Sequence, residues 1–266
     1  MYDRFKRKVN YLRISVTDRC NLRCKYCMPE CGIKLLPHEA ILTYDEIKKL
    51  VKVAVDLGID KVRLTGGEPL VRKDFVQLVE MLAKIDGIKD LSMTTNGILL
   101  KKYAKSLSDA GLNRVNISLD TIDPETYKLQ TRGGNIRYVF EGIDAAREFG
   151  LEPIKINCVV WNSSQEKDAM EVAEFCKEKG LQVRFIHQMN LQTGEFSVVE
   201  GGEGGNCARC NRLRLTSDGK IKPCLFSDLA YDVREMGIEN AILAAVGNKP
   251  GSGTHSRSSE FYNIGG

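Results

Sequence analysis

The sequence predicts an α/β protein whose core is an incomplete TIM-like barrel of six βα units. Short apolar runs alternate with amphipathic stretches along most of the 266 residues, and nearly every predicted strand is followed by a predicted helix. Consecutive βα units imply a parallel sheet with right-handed crossovers. Six units instead of eight favour an open barrel, with a doubly wound sheet as the alternative.

Apolar periodicity and glycine positions place each element in turn. Apolar runs predict strands near 12–16, 60–65, 89–94, 113–119, 153–160 and 182–187. Helical periodicity predicts helices near 44–57, 73–85, 100–110, 136–149 and 166–179. Thr43 and Glu46 have the spacing of a capping box. Four of the helices are followed by a glycine, where a left-handed cap residue is expected: Gly58, Gly111, Gly150 and Gly180.

Composition favours an enzyme of the cytoplasm. Hydrophobic residues make up 42% of the chain, enough for a sizeable core. Residues 1–10 are rich in charged side chains. No apolar run approaches the ~18 residues that a membrane span needs. The cysteines are clustered and not spread as a disulfide framework, which predicts a reducing compartment. A net charge of +4 is too small to predict nucleic-acid binding but suits an anionic small molecule.

Three cysteines directly after the first predicted strand have a spacing typical of an iron–sulfur cluster. They are Cys20-x3-Cys24-x2-Cys27. Three thiolates leave one iron of a four-iron cluster without a protein ligand, and an open metal position can bind a small molecule. This spacing resembles that of radical S-adenosylmethionine (SAM) enzymes. The alternative is a closed zinc site completed by Cys31.

A second set of three cysteines lies near the other end of the chain. Its pattern is Cys207-x2-Cys210-x13-Cys224. Two open three-thiolate sites indicate two clusters, and the alternative is a zinc site with His255 as the fourth ligand. Two other cysteines, Cys158 and Cys176, lie in apolar stretches. They need no functional explanation, because a small thiol in such a stretch is ordinarily a buried packing residue.

The alternating pattern stops near residue 190. Residues 192–206 contain five glycines and predict a flexible linker. Residues 207–266 have too little apolar content for an independent core, so we expect the second metal site to hold this segment together. The predicted parts are a barrel over residues 1–190 and a linker with a C-terminal cluster-binding segment over residues 191–266. A second glycine-rich stretch covers residues 247–253.

Taken in order, these motifs resemble the MoaA family, the radical SAM GTP 3',8-cyclases of molybdenum cofactor biosynthesis. The resemblance covers most of the chain, and the fold it implies is the radical SAM partial barrel. The runs that carry it are LRISVTDRCN at 12–21, CKYCMP at 24–29, RLTGGEP at 63–69, TTNG at 94–97, NISLD at 116–120, KIN at 155–157, CNRLR at 210–214, CLF at 224–226 and the final GG at 265–266.

The resemblance implies the following cofactors and their ligands. Cys20, Cys24 and Cys27 hold a first 4Fe-4S cluster whose open iron chelates SAM. A second 4Fe-4S cluster binds the purine of GTP and is held by Cys207, Cys210 and Cys224. Four further positions contact SAM: Tyr26, Gly67, Ser118 and Met189. The glycines of the GGEP run let the main chain approach a ligand closely.

The resemblance also implies a cationic GTP site. Its contacts are Arg13, Arg63, Thr94, Lys155, Arg212 and Arg214. Arg13, Arg212 and Arg214 are in addition catalytic. This residue type suits a triphosphate, because guanidinium groups bind phosphate oxygens in pairs. Arg13 and Lys155 lie on predicted strands, and Arg212 and Arg214 alternate, so that both can point the same way.

Family enzymes abstract a ribose hydrogen from GTP and join that carbon to C8 of the purine. The product is a 3',8-cyclised dihydro-GTP, the first intermediate of the pathway to molybdopterin. The implied partners are an electron donor and the cyclic pyranopterin monophosphate synthase that acts on the product, and a homodimer is expected. The final Gly265-Gly266 is expected to insert into the barrel.

Three features depart from the family pattern. The segment 190–206 is shorter than in most members, His187 stands where an acidic residue is more common, and Lys6 replaces a usual glycine in Asp3-x-Phe5-x-Arg7. Two other function classes therefore stay open: a radical SAM maturase of a peptide or other cofactor with an auxiliary cluster, and a non-catalytic zinc-binding scaffold.

Overall fold

All six predicted strands are present and lie side by side in one parallel sheet. A computed structural model describes residues 1–257 and Ile264. Three further strands follow the predicted six in the described chain. The strands are β1 Tyr11–Ser15, β2 Lys61–Thr65, β3 Asp90–Thr95, β4 Arg114–Ser118, β5 Lys155–Val160, β6 Gln182–His187, β7 Arg212–Leu215, β8 Lys220–Lys222 and β9 Tyr231–Asp232.

The five predicted helices are confirmed, and each of their ends lies within two residues of the predicted end. The capping box at the start of α1 is formed, because Thr43 accepts a hydrogen bond from the Glu46 backbone and Glu46 accepts one from the Thr43 backbone. The glycines that follow four of the helices all adopt positive φ angles. The helices are α1 Tyr44–Asp56, α2 Phe75–Ala83, α3 Leu100–Asp109, α4 Pro124–Thr131, α5 Ile136–Glu148, α6 Lys167–Glu178, α7 Val233–Met236 and α8 Ile238–Gly247.

Helix α4 is absent from the sequence prediction. It begins after Asp123, which caps it by accepting a hydrogen bond from the Thr126 backbone, and Pro124 opens it. Only Tyr127 and Thr131 are buried, so the apolar periodicity is too weak to indicate a helix. The connection between β4 and β5 therefore contains two helices.

The strand order places the seventh strand next to the first. The order is β6-β5-β4-β3-β2-β1-β7-β8-β9, and every pair from β6 to β7 is parallel. Strand β7 pairs with β1, and β8 and β9 continue as an antiparallel edge. The segment after residue 206 thus extends the barrel sheet, and α8 packs against α1.

The predicted linker is hydrogen-bonded to strand β6. Phe185 and Glu200 exchange both backbone hydrogen bonds, at 3.1 and 3.0 Å. The Glu200 carboxylate also lies 3.0 Å from His187 Nε2, which joins the two elements through a residue that departs from the family pattern. The glycine-rich segment is therefore folded against the open side of the barrel.

The two faces of the sheet differ sharply in polarity. Residues such as Leu12, Ile14, Val62 and Leu64 point toward the helices and form the main hydrophobic core. The alternate positions carry polar and cationic side chains, so the inside of the barrel is a chamber and not a packed apolar core. Over the described residues, no helix is long and apolar enough to span a membrane.

Candidate active site

The first cysteine set lies in the loop after β1, at the carboxyl end of the parallel strands. The GGEP run holds this loop from one side. Gly67 donates its backbone N–H to the Thr17 carbonyl (2.7 Å), and Glu68 donates to the Arg19 carbonyl (2.8 Å). A Cβ on Gly67 would lie 2.3 Å from the Arg19 carbonyl oxygen. Glycine is thus needed here for contact with the cysteine loop itself.

The C-terminal end of α4 holds the same loop from the other side. The backbone N–H groups of Arg23 and Lys25 donate to the Thr131 and Gln130 carbonyls at 3.2 and 3.0 Å. Arg132 then donates from Nη1 to the Met28 carbonyl at 2.9 Å. The unpredicted helix therefore positions the loop that carries Cys20, Cys24 and Cys27.

The three thiols of the first set are desolvated and close enough to affect one another. Burial, and then the neighbouring Cys27 and other acids, raises the pKa of Cys24. Burial and the Cys20 charge raise the pKa of Cys27 to about 12. Three thiolates would repel each other here, and a bound cationic centre relieves that cost. The donor set therefore fits an iron–sulfur cluster.

Within the part of the chain that the structure describes, no group of His, Cys, Asp and Glu side chains has the arrangement of a single-ion site. Cys31 and His255, the fourth ligands of the alternative zinc sites, are both exposed.

The four predicted SAM contacts lie at the same end of the barrel. Gly67 follows β2, Ser118 ends β4, and Met189 follows β6. Tyr26 lies in the cysteine loop, with its hydroxyl close to the half-buried Asp120 carboxylate. Burial raises the pKa of Asp120 to about 6, although hydrogen bonds from Val159 and Tyr26 oppose the shift. The strand ends thus bring together residues that are widely spaced in sequence.

Glu68 is a fully buried acid at this end of the barrel. Its carboxylate accepts hydrogen bonds from the Leu70 backbone (3.1 Å), the Thr95 hydroxyl (2.8 Å) and the Asn96 backbone (2.7 Å). Burial raises the pKa of Glu68 to about 7 despite these donors. The Asn96 amide in turn lies 3.8 Å from Cys20 Sγ. Glu68 therefore connects the GGEP run to β3 and to the first cysteine set.

The polar face of the sheet lines a cavity of about 500 Å³. It extends from Met189, a predicted SAM contact, to all three cysteines of the second set. The first cysteine set is not part of its lining. Of the predicted substrate contacts, four line it: Arg13, Arg63, Arg212 and Arg214.

Three of these four arginines lie in one register row across the sheet. Arg13 on β1 is the partner of Arg63 on β2 and of Arg214 on β7. The row continues through Ser92 to Arg114. Burial, and then the nearby Arg214 charge, holds the pKa of Arg13 well below its usual range. Several cations at this spacing, with few acids between them, favour a polyanionic ligand.

Three cavity-lining cations were missed by the sequence analysis: Lys61, Arg114 and Arg184. Arg114 is paired with Asp90 at 2.6 Å. A signal for them was present, because each lies on a strand and alternates with apolar residues, as Lys61 and Arg63 do around Val62. Alternation along a strand predicts that Arg212 and Arg214 point the same way, and the same alternation predicts the other cations of the cavity wall.

Thr94 and Lys155 lie in a neighbouring row, joined through Asn116. They are outside the cavity lining. Burial, and then the charge of Arg184, lowers the pKa of Lys155. Among the described residues, three buried polar atoms of the inner face have no hydrogen-bond partner: Tyr11 Oη, Thr94 Oγ1 and Asn116 Nδ2. Buried polar atoms without partners are costly, and a ligand in the barrel relieves that cost.

The second cysteine set lies at the amino-terminal side of β7. Cys207 and Cys210 precede this strand, and Cys224 follows β8. Burial opposes ionisation of Cys210, but the Arg212 and Lys249 charges lower its pKa to about 7. Thiolates are the iron ligands, so this environment also fits a cluster.

The predicted insertion of Gly265-Gly266 lies outside the described residues. Ile264, directly before them, is 1% exposed and packs with Leu191, Leu225 and Phe226. Met189 and Cys224 border the same apolar group.

Comparison with known proteins agrees with this architecture. Residues 14–176 match the radical SAM superfamily model, and residues 163–249 match the model described as Molybdenum Cofactor Synthesis C. A protein of Thermodesulfovibrio yellowstonii named GTP 3',8-cyclase is 45% identical, over 89% of this chain and 88% of the relative. A protein of the same name from Moorella thermoacetica is 42% identical, over 92% and 91%. Both alignments, of 282 and 294 positions, are longer than the chain, so the relatives contain residues that it lacks.

Solved structures support the same fold. The structure titled native anSMEcpe with bound AdoMet has a TM-score of 0.64 at 18% identity, over 91% of this chain and 81% of that one. Methylornithine synthase (PylB) has a TM-score of 0.57 at 20% identity, over 68% and 54%. These likenesses concern the fold alone, and they agree with the predicted partial barrel. The radical SAM family model and the relatives at 42–45% identity show that this chain belongs to the GTP 3',8-cyclase family of radical SAM enzymes.

Proposed function

We propose that this protein is a radical SAM lyase that joins C3' and C8 of GTP in the first step of molybdenum cofactor biosynthesis. The observation that carries the proposal is the arginine row on the wall of a cavity that reaches from Met189 to the second cysteine set. A nucleoside triphosphate is an anion of matching charge and size.

The two cysteine sets would each hold a 4Fe-4S cluster. Cys20, Cys24 and Cys27 would hold the first, and Cys207, Cys210 and Cys224 the second. The first cluster, when reduced and bound to SAM, would supply the electron that cleaves SAM into methionine and the 5'-deoxyadenosyl radical, which would remove a ribose hydrogen. Tyr26, Gly67, Ser118 and Met189 would orient SAM from the strand ends.

The chain's own residues would position GTP. Arg13, Arg63 and Arg214 lie side by side and would bind phosphate oxygens in pairs. Arg212, two residues from Cys210, would hold the nucleotide next to the second set. The walls of the cavity would keep the reacting ribose away from bulk water, which limits side reactions. Thr94 and Lys155 would contact the ligand from the neighbouring row.

The further expectations from the resemblance are part of the same proposal. They are a cytoplasmic location, an electron donor, a homodimer, and a cyclic pyranopterin monophosphate synthase that consumes the product. The tail Gly265-Gly266 would enter the barrel next to the buried Ile264, because glycines pass through a narrow channel without side-chain clash.

Anaerobic incubation of the reconstituted protein with SAM, reductant and GTP tests the proposal. The cyclised dihydro product is an isomer of GTP, because a proton and an electron replace the hydrogen lost from the ribose. We therefore expect a new nucleotide with the mass of GTP but a different retention time, together with 5'-deoxyadenosine. SAM cleavage that leaves GTP unchanged would instead favour a maturase.

A further inference from the structure

Lys249 is the largest fully buried side chain in the described structure, with an exposed fraction of 1%. Lysine is almost never buried unless its ammonium is paired. Here the ammonium donates to the Arg212 carbonyl at 2.7 Å and to the Pro223 carbonyl at 2.5 Å. Its positive charge also interacts with the Cys210 thiolate. The ammonium is therefore paired with two backbone carbonyls in the interior of the protein.

These acceptors border two cysteines of the second set. Arg212 is two residues after Cys210, and Pro223 directly precedes Cys224. The Lys249 ammonium is thus a bridge between the two chain segments that carry these cysteines. Both thiols lie close enough to Lys249 to be influenced by its charge.

A second cation holds the remaining cysteine to the same segment. Arg7, paired with the buried Asp3 at 2.6 Å, donates to the Cys207 carbonyl at 2.6 Å. It also donates to the Pro250 carbonyl at 2.6 Å and to the Gly251 carbonyl at 3.0 Å. A Cβ on Gly253 would lie 3.3 Å from Cys224 Sγ. Residues 249–253 are therefore connected to the segments that carry all three cysteines, to that of Cys207 through Arg7.

We propose that Lys249 is a positioning residue for the second cysteine set, and that its buried ammonium charge stabilises the anionic thiolate ligands of the metal centre bound there. This inference rests on the proposed function only in taking the second set to hold a 4Fe-4S cluster. The proposal also gives a role to two features that had none. The Asp3-x-Phe5-x-Arg7 run and the glycine-rich stretch at 247–253 both help to position the second cysteine set.

Physical chemistry gives the proposal a direction. Outer hydrogen bonds to cluster sulfurs and the net charge around them set the reduction potential. Reduction adds negative charge, so removal of a buried positive charge disfavours the reduced state and lowers the potential. Loss of the carbonyl bridge also frees the two ligand segments to move apart, which speeds release of iron.

The test uses the Cys24→Ala variant, in which the second set alone binds iron. In that background we compare Lys249→Gln with Lys220→Gln, an exposed lysine of β8. Lys249→Gln should release iron to an iron(II) chelator at least tenfold faster and shift the midpoint potential to more negative values, while Lys220→Gln should change neither. Equal release rates and potentials in the Lys249→Gln variant and its parent would overturn the proposal.

Two further measurements keep the outcome decisive. Should Lys249→Gln not fold, the Cys24→Ala protein labelled with ¹⁵N at lysine Nζ can be examined by pulsed EPR of the reduced cluster. A coupled lysine nitrogen supports the proposal, and absence of coupling overturns it. Iron bound by the Cys24→Ala parent checks the second cluster separately and without GTP. If that parent binds no iron, the two-cluster assignment fails and this inference with it.

Discussion

Arg13 and Arg214 are register partners on adjacent parallel strands, although they lie near opposite ends of the sequence. Arg214 is buried and Arg13 is half-buried, and desolvation together with the Arg214 charge lowers the pKa of Arg13. The cost of placing two guanidinium groups side by side is offset when an anion binds between them. The pairing of β7 with β1 therefore builds a cationic surface from two distant segments, and we propose that this surface binds the phosphates of GTP.

The cationic wall of the cavity predicts a loss of GTP affinity when one of its charges is removed. Arg63→Ala and Arg212→Ala should each weaken GTP binding by about 10- to 100-fold, since a hydrogen bond to a charged group contributes roughly 1.5–3 kcal/mol. Equilibrium binding to the cluster-loaded protein measures this. Iron content should not change in Arg63→Ala. Arg147→Ala, on the exposed side of α5, is the matched control. Unchanged affinity in both chamber variants would favour the maturase.

The cysteine sets predict the iron content of the protein. Anaerobic reconstitution should give about eight iron atoms per chain. Cys24→Ala should remove about half of them and abolish SAM cleavage, whereas Cys210→Ala should remove a similar share and leave some cleavage. Cys31→Ala should retain all the iron, because Cys31 belongs to neither set. Zinc in place of iron at either set would disprove the cluster assignment there.

Gly67 predicts a selective effect on the first set. In Gly67→Ala the new methyl group would collide with the Arg19 carbonyl oxygen, so the loop that carries Cys20 must shift. We expect loss of iron from the first set and of SAM binding, with the second set intact, as measured by iron analysis and EPR. In Gly247→Ala, at the end of α8, the Cβ meets nothing within 4 Å, and both clusters should form normally. Normal SAM binding by Gly67→Ala would disprove the close-contact explanation.

Glu68 predicts a pH-dependent stability of the cluster-free protein. Its pKa rises from 4.5 to about 7 on folding. Between these values the native state keeps a proton that the unfolded state has released, so stability decreases as pH rises from 4.5 to 7. The decrease due to Glu68 is roughly 3 kcal/mol, at about 1.36 kcal/mol per pH unit.

Urea unfolding of wild type, Glu68→Gln and Glu148→Gln checks this point. Glu68→Gln also alters the hydrogen bonds that Leu70, Thr95 and Asn96 donate, but this changes the free energy of unfolding by an amount that does not depend on pH. The free energy of unfolding of Glu68→Gln minus that of wild type should therefore increase as pH rises from 4.5 to 7. For Glu148→Gln, at an exposed position, this difference should not change with pH. Parallel curves for Glu68→Gln and wild type would show that Glu68 ionises normally.

Much of the barrel follows from sequence because its information is local. Apolar runs, a capping box and glycine caps predict β1 to β6 and five helices. The cysteine spacings predict which loops carry the cluster ligands. The pairing of β7 with β1 is not local, and no strand pattern identifies a partner so far away in sequence. Helix α4 lacks the apolar stripe that would reveal it.

The structure gives physical reasons for several residues that the sequence alone does not give. Gly67 stays a predicted SAM contact, and in addition a Cβ at this position would lie 2.3 Å from the Arg19 carbonyl oxygen of the cysteine loop. Lys6 has a φ of 61°, in the left-handed region that favours glycine, which explains why glycine is the usual residue there. Lys249 appears as an ordinary surface lysine in the sequence, and only folding shows its burial beside Cys210.

The most direct test of GTP as substrate is the fate of the hydrogen at C3'. GTP deuterated at C3' is incubated anaerobically with SAM, reductant and the reconstituted protein, and the 5'-deoxyadenosine and nucleotide are analysed by mass spectrometry. We expect one deuterium to appear in 5'-deoxyadenosine and to be missing from the cyclised nucleotide, because the same atom is transferred between them. Formation of 5'-deoxyadenosine without deuterium, with GTP recovered unchanged and fully labelled, would contradict the assignment of GTP as the substrate.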